Sequence, residues 1–426
     1  MAPENWRSFA FIRGWNLAIA VIVLITPEFA SGYSLLTHEQ IVDILWKDDI
    51  EPLLLKRFPG ARTNDLRKAH AFAYGGCLMH DIGYYPLVNK FFTDLTHYVR
   101  SGDFIMNLIR ESADLDQYAF ALGALAHYSS DNTGHPYINR AVALSLPKLR
   151  ARYGEEVTYE DDPKAHIRVE YGFDVTQVAK NRYTSDSYHD FIGFEVSKPV
   201  LERAFFKTYN LDLDVVLDPI NLSIGTFRRA VSQVIPQMTK VALATQRAEL
   251  VRDIPNFSEQ KFLYYLSRSE YEREWGKEYR RPGMWHRVLA FLLRLVPKVG
   301  PFQALAFKLP SPQTEDLYVK SINKTVENYR SLLRTAANGT LQLPNMDFDT
   351  GRPTQAGEYA RSDRTYARLL DELSKTGFER VTPALRQNIL TYYELRPVPP
   401  KTRKEHQAWC KTLEQLEALR TTTPGP

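Results

Sequence analysis

Residues 118–140 read YAFALGALAHYSSDNTGHPYINR, and the fold and chemistry of the chain are best read outward from them. Apolar residues recur there at steps of three and four, the period of a buried helix. His127 and Asp131 stand four positions apart. At about 100° per residue their side chains share one helix face, and an imidazole and a carboxylate side by side are two of the ligand types a metal ion takes. His135 follows four positions later, and Gly134 with Pro136 predicts that the helix ends there, offering His135 to the same pocket from a loop.

Downstream, His166 and Glu170 repeat the four-residue step. They lie in a helix whose start is signalled by Asp161-Asp162 as N-cap and Pro163 in the first turn. Upstream, GGCLMHDIGYYP (residues 75–86) runs an apolar helix into His80-Asp81, and His97 follows sixteen residues after Asp81. Nearer the N-terminus, Thr37 and Gln40 form a capping-box pattern that starts a helix and places His38 in its first turn. A single histidine on an apolar helix reads as a packed side chain. Two His-x-x-x-acid pairs and a further His within 44 residues argue for a site. His38, Asp81, His97, His127, Asp131, His135, His166 and Glu170 together supply five imidazoles and three carboxylates. Zinc usually takes four ligands, one of them water when catalytic, so this set implies two or three ions.

The remaining composition is that of an ordinary globular protein: 426 residues, 44% hydrophobic and 24% charged, with a net charge of +4. Wholesale disorder, a collagen-like fibre and a disulfide-stapled miniprotein are excluded, and the mild charge does not mark a nucleic-acid binder. Cys77 lies in an apolar helical run and reads as a small packed hydrophobe rather than as a bridge to Cys410. Arg7 and Arg13 precede an apolar run over residues 15–25, followed by Thr26-Pro27 and the small exit Ala30-Ser31-Gly32. This is the pattern of a secretory signal peptide over residues 1–32, with the mature chain starting at Tyr33 in a secreted or periplasmic protein.

Helical periodicity over residues 40–46, 66–79, 104–109, 116–126 and 227–243, the last kinked or split at Pro236, and a scarcity of period-two segments predict an all-α fold. A multi-helix metal-binding catalytic domain is expected over residues 33–255, then a basic, aromatic helical region over 256–345. Residues 346–426 are expected to hold a polar linker and C-terminal helices, with a loop or linker at 348–364 and helices at 364–374 and 406–419.

The ligand order His, Asp, His, His-x3-Asp, His, His-x3-Glu resembles the zinc-dependent phospholipase C family, which shares its fold with the S1/P1-type single-strand nucleases. The resemblance covers residues 33–180. It implies that Asp81, His97 and His127 hold one zinc, that Asp131 bridges toward a second bound by His38 and the amino terminus of Tyr33, and that His135, His166 and Glu170 hold a third. Tyr33 stands where the family usually begins with Trp. The resemblance also implies a phosphodiester hydrolase using metal-activated water, with Asp81 as a catalytic ligand and proton acceptor, and a phospholipid substrate in preference to nucleic acid. Three alternatives are an S1/P1-like nuclease, an HD-type phosphohydrolase built on His80-Asp81 with His70 or His38 and Asp131, and a non-catalytic metal-binding surface protein. Residues 261–308 carry ten Lys/Arg and four Glu among aromatic residues, a mixture suited to peripheral contact with a membrane surface or to core helices with solvated arginines.

Overall fold

The computed structural model describes residues 35–84, 88–179, 194–217, 220–229, 307–395 and 403–422. Helix α1 (Leu35–Leu45) passes through a π-helical turn (Trp46–Ile50) into α2 (Glu51–Arg57), and α3 (Thr63–Met79) runs into a 3-10 turn (His80–Tyr84). Then come α4 (Lys90–Tyr98), α5 (Ser101–Glu111), α6 (Leu115–Ser145), α7 (Pro147–Tyr153), α8 (Pro163–Ala179), α9 (Lys198–Tyr209), α10 (Asp214–Leu217) and α11 (Ile220–Arg229). The later part holds α12 (Pro312–Ala337), an antiparallel hairpin of β1 (Met346–Asp347) and β2 (Arg352–Pro353), α13 (Ala360–Ser374), α14 (Pro383–Leu395) and α15 (Arg403–Thr421). The fold is all-α, as the periodicity predicts. Tyr33, the expected signal peptide and residues 261–306 of the basic aromatic stretch lie outside the described residues. Among the described residues no helix is long and apolar enough to cross a membrane.

α6 is the axis of the molecule. Its 31 residues span about 45 Å at the usual rise. Asp114 caps its start, accepting from the Gln117 amide at 2.8 Å. α3 packs along one side of it and α12 along another. The α3–α6 contact is backbone against backbone: a Cβ on Gly123 would lie 1.9 Å from the Ala73 carbonyl oxygen, and one on Gly76 1.9 Å from that of Phe120. Only residues without a Cβ allow this approach, and it brings the Cys77 carbonyl within reach of the His127 ring.

The sequence predicts an end of α6 at Gly134, but the helix continues to Ser145 with Pro136 inside it, so His135 projects from the helix and not from a loop. Proline lacks the amide that would close a hydrogen bond to the carbonyl four residues back, here Asn132. Gly351 packs against that carbonyl, its own φ of +65° and the absence of a Cβ permitting the contact. The capping box expected at Thr37 is not made either. Asp174 of α8 caps α1 from outside, accepting from the Leu36 amide at 3.0 Å and the Thr37 hydroxyl at 2.7 Å. The predicted start of α8 is present, with Asp162 accepting from the Ala165 amide at 2.9 Å. The predicted loop at residues 348–364 gives way to α13 at Ala360, and its first part is packed inside, with Phe348 and Asp349 buried. Cys77 is buried, and its thiol donates to the Tyr74 carbonyl.

Candidate metal centre

α1 presents His38, the 3-10 turn Asp81, α4 His97, and α6 both His127 and Asp131. All five are buried, Asp81 being the most accessible at 6%. Two of the imidazoles are fixed by backbone carbonyls. His97 Nδ1 lies 2.9 Å from the Thr93 oxygen one turn back, and His127 Nδ1 lies 2.8 Å from the Cys77 oxygen across the α3–α6 seam. A carbonyl only accepts, so each Nδ1 carries the proton, and in a neutral ring the lone pair is on Nε2. Metal-ligating histidines are oriented in this way.

Both Nε2 atoms face carboxylates. His97 Nε2 is 3.4 Å from Asp81 Oδ1 and 3.5 Å from His127 Nε2, and His127 Nε2 is 4.0 Å from Asp81 Oδ1. Ligand atoms about 2.1 Å from a tetrahedral zinc stand roughly 3.4 Å apart, so this trio has the spacing of three corners of a zinc site. On the other side His38 Nε2 is 3.5 Å from Asp131 Oδ1, and His127 Nε2 is 3.1 Å from Asp131 Oδ2. His38, His127 and Asp131 form a second group able to hold an ion, sharing His127 with the first.

Asp81 Oδ1 and both Asp131 carboxylate oxygens are buried without a well-formed hydrogen bond. Uncompensated buried carboxylates are costly, and a cation between them and the Nε2 atoms removes the cost. With side chains alone, a proton partly fills that role. Burial disfavours a charge on His97, yet Asp131 and Asp81 outweigh it and raise its pKa to about 10. Burial raises the Asp81 pKa. Burial pushes Asp131 the same way, but the charges of His127 and His135 prevail and hold it well below the usual carboxylate range. His38 is lowered by burial and by the charge on His127.

The remaining residues of the expected set lie beside this cluster. His166 Nε2 is 2.6 Å from the Val157 carbonyl and its Nδ1 2.9 Å from Glu170 Oε1, so this ring is turned the other way from His97 and His127, with Nε2 on the backbone and Nδ1 toward the carboxylate. Burial raises the Glu170 pKa against the opposing effect of His166. His135 stands between pair and cluster, its ring 6.4 Å from that of His166, and its Nδ1 donates to the Phe348 carbonyl. His135, His166 and Glu170 do not close into a group as tight as the two above.

Three features do not follow from ligand spacing. His80 is buried, its ring nitrogens without a hydrogen-bond partner, and it stacks on His127 at 4.5 Å while His38 stacks at 4.4 Å. Phe348 covers the histidines, its ring 5.2 Å from His97 and 5.9 Å from His127. Asp349 lies 3.8 Å from His135 Nδ1. The HD string on either side of His80-Asp81 is the sole sequence signal for any of the three. His70 is elsewhere, bonded to Asp43 at 2.9 Å and stacked on Trp46 at 3.9 Å.

Residues 37–215 match the family model described as zinc-dependent phospholipase C. This is the family whose ligand order the sequence resembles, and the segment contains every described residue of the cluster. No curated protein and no solved structure matches the chain.

Proposed function

We propose that the protein is an exported, zinc-dependent phosphodiester hydrolase of the phospholipase C type. The observation that carries this reading is the buried meeting of His38, Asp81, His97, His127 and Asp131, with two Nε2 lone pairs and three undonated carboxylate oxygens turned toward one another. Asp81, His97 and His127 would hold one zinc. His38 and Asp131, with the amino group of a mature Tyr33, would hold the next, and His135, His166 and Glu170 a third. Bound zinc would supply activated water and neutralise phosphoryl charge. The protein supplies orientation: the Thr93 and Cys77 carbonyls keep His97 and His127 in the tautomer that a cation requires. Asp81, the most accessible of the five, would serve as both ligand and proton acceptor.

A phospholipid is the substrate the family implies, with peripheral membrane contact through residues 261–308. His70 is engaged by Asp43 and Trp46, which leaves His38 as the histidine available to the HD-type arrangement. The test is to measure zinc per chain, the mature N-terminus by intact mass, and hydrolysis of phospholipid and single-stranded nucleic acid before and after chelation. Two or three zinc ions, a start at Tyr33 and chelator-sensitive release of a phosphorylated headgroup are expected. Full zinc occupancy with no turnover would instead identify a metal-binding surface protein, and turnover of nucleic acid alone would identify a nuclease.

A further inference from the structure

Residues 347–351 lie outside the segment that matches the family model, yet they touch α4 and α6, the helices of His97, His127 and His135. The Phe348 amide donates to the His97 carbonyl at 3.2 Å, and the Phe348 carbonyl accepts from His135 Nδ1. The Asp349 carbonyl accepts from the Asn139 side-chain amide at 2.9 Å, one helical turn beyond His135 on α6. The Asp349 carboxylate is anchored in turn, accepting from the Tyr98 hydroxyl at 2.8 Å and the Tyr359 hydroxyl at 2.5 Å. Gly351 seats the far end on the Asn132 carbonyl, where any Cβ would collide at 2.4 Å. Asp347 closes the turn, accepting from the Thr350 amide at 3.0 Å.

We infer that residues 347–351 form a strap that positions the metal centre, with Asp349 and Phe348 as positioning residues for His135 and for the His97–His127 pair. The Phe348 carbonyl fixes the His135 proton on Nδ1, leaving Nε2 as the lone-pair nitrogen, as Thr93 and Cys77 do for His97 and His127. The Asp349 carboxylate, held by two tyrosines, sets the height of that carbonyl. The inference rests on the zinc reading above. It extends the site to a part of the chain with no ligand of its own.

The test uses the mature chain as wild type, Asp349→Ala, which removes the acceptor of both tyrosine hydroxyls, and Gly351→Ala, each titrated with a zinc chelator. Ring-15N histidine spectra report the His135 tautomer, and unfolding of the zinc-free proteins is followed in parallel. Both variants are expected to lose zinc affinity by about 10–100-fold, the usual cost of removing a partner that orients a ligand, and to lose the Nδ1–H signature of His135. Wild-type affinity and tautomer in both variants, whatever their unfolding midpoints, would overturn the strap while leaving the zinc centre standing. A wild-type protein that takes up no zinc would overturn both. Should neither variant fold, Tyr359→Phe, which removes one hydrogen bond to Asp349, must show a smaller loss in the same direction, and an unchanged affinity there would likewise overturn the strap.

Discussion

Asp347 is held above the usual carboxylate range, at about 7, first by burial and then by the nearby charge of Asp349. Its folded-state pKa exceeds its unfolded value, so the stability tied to its proton is complete below about pH 4 and is lost as pH rises through 7. Asparagine can keep the contacts to Thr350 and Ser362 without the charge. The unfolding midpoint of the wild type should therefore fall relative to that of Asp347→Asn as pH rises from about 5 to about 8, and parallel curves in thermal melts would exclude this origin. Asp131 touches both candidate groups, with one oxygen toward His38 and the other toward His127 and His97. Asp131→Ala should lower zinc stoichiometry at two positions at once, as read by elemental analysis; loss of a single ion would assign it to one. At this scale His127 and Asp131 were legible because a four-residue step has one meaning on a helix, whereas His38, Asp81 and His97 were grouped with them by the order of ligands that resembles the family. The groups that orient them were not, since the carbonyls of Thr93, Cys77 and Phe348 have no side-chain signature.

The α3–α6 seam makes opposite predictions for two glycines. Gly123→Ala places a Cβ 1.9 Å from the Ala73 oxygen, so the helices must part. A loss of about 1–3 kcal/mol or more is expected, together with weaker zinc retention as Cys77 draws away from His127. Gly225→Ala on α11 meets nothing within 4 Å and should be stabilising by up to about 1 kcal/mol from helix propensity. Chemical denaturation of the two variants checks both signs. Among the elements, periodicity revealed α1, α3, α5 and the first half of α6. It misplaced the end of α6 because Pro136 is tolerated where Gly351 covers the orphaned Asn132 carbonyl, a contact 219 residues away in sequence. α12 falls within the helical region expected over residues 256–345 but was not delimited there, although its stripe of Tyr318, Ile322, Val326, Tyr329 and Leu333 is helical in spacing and buried. α4 was missed for another reason: its nine residues give too few turns for a period to stand out.

For the whole molecule, ions held by the folded chain and absent from the unfolded one add to stability by mass action. Free zinc at a hundred times its dissociation constant contributes about 2.7 kcal/mol per site. Chelation should lower the thermal midpoint, readdition should restore it, and Asp131→Ala should respond more weakly to both. A midpoint indifferent to zinc in the wild type would mean that the cluster is held by protons alone. The position of residues 347–351 in the chain also bears on biogenesis. About 180 residues separate Glu170 from Asp349, and contacts over such separations close late because the entropy of the intervening loop must be lost first. During synthesis the histidine-bearing helices emerge well before their covering loop, so the final geometry of His135 and His97 waits on the emergence of residues 347–351. Nascent or C-terminally truncated products would then carry the ligands in a loosely ordered form, and ion loading would be timed to the end of folding.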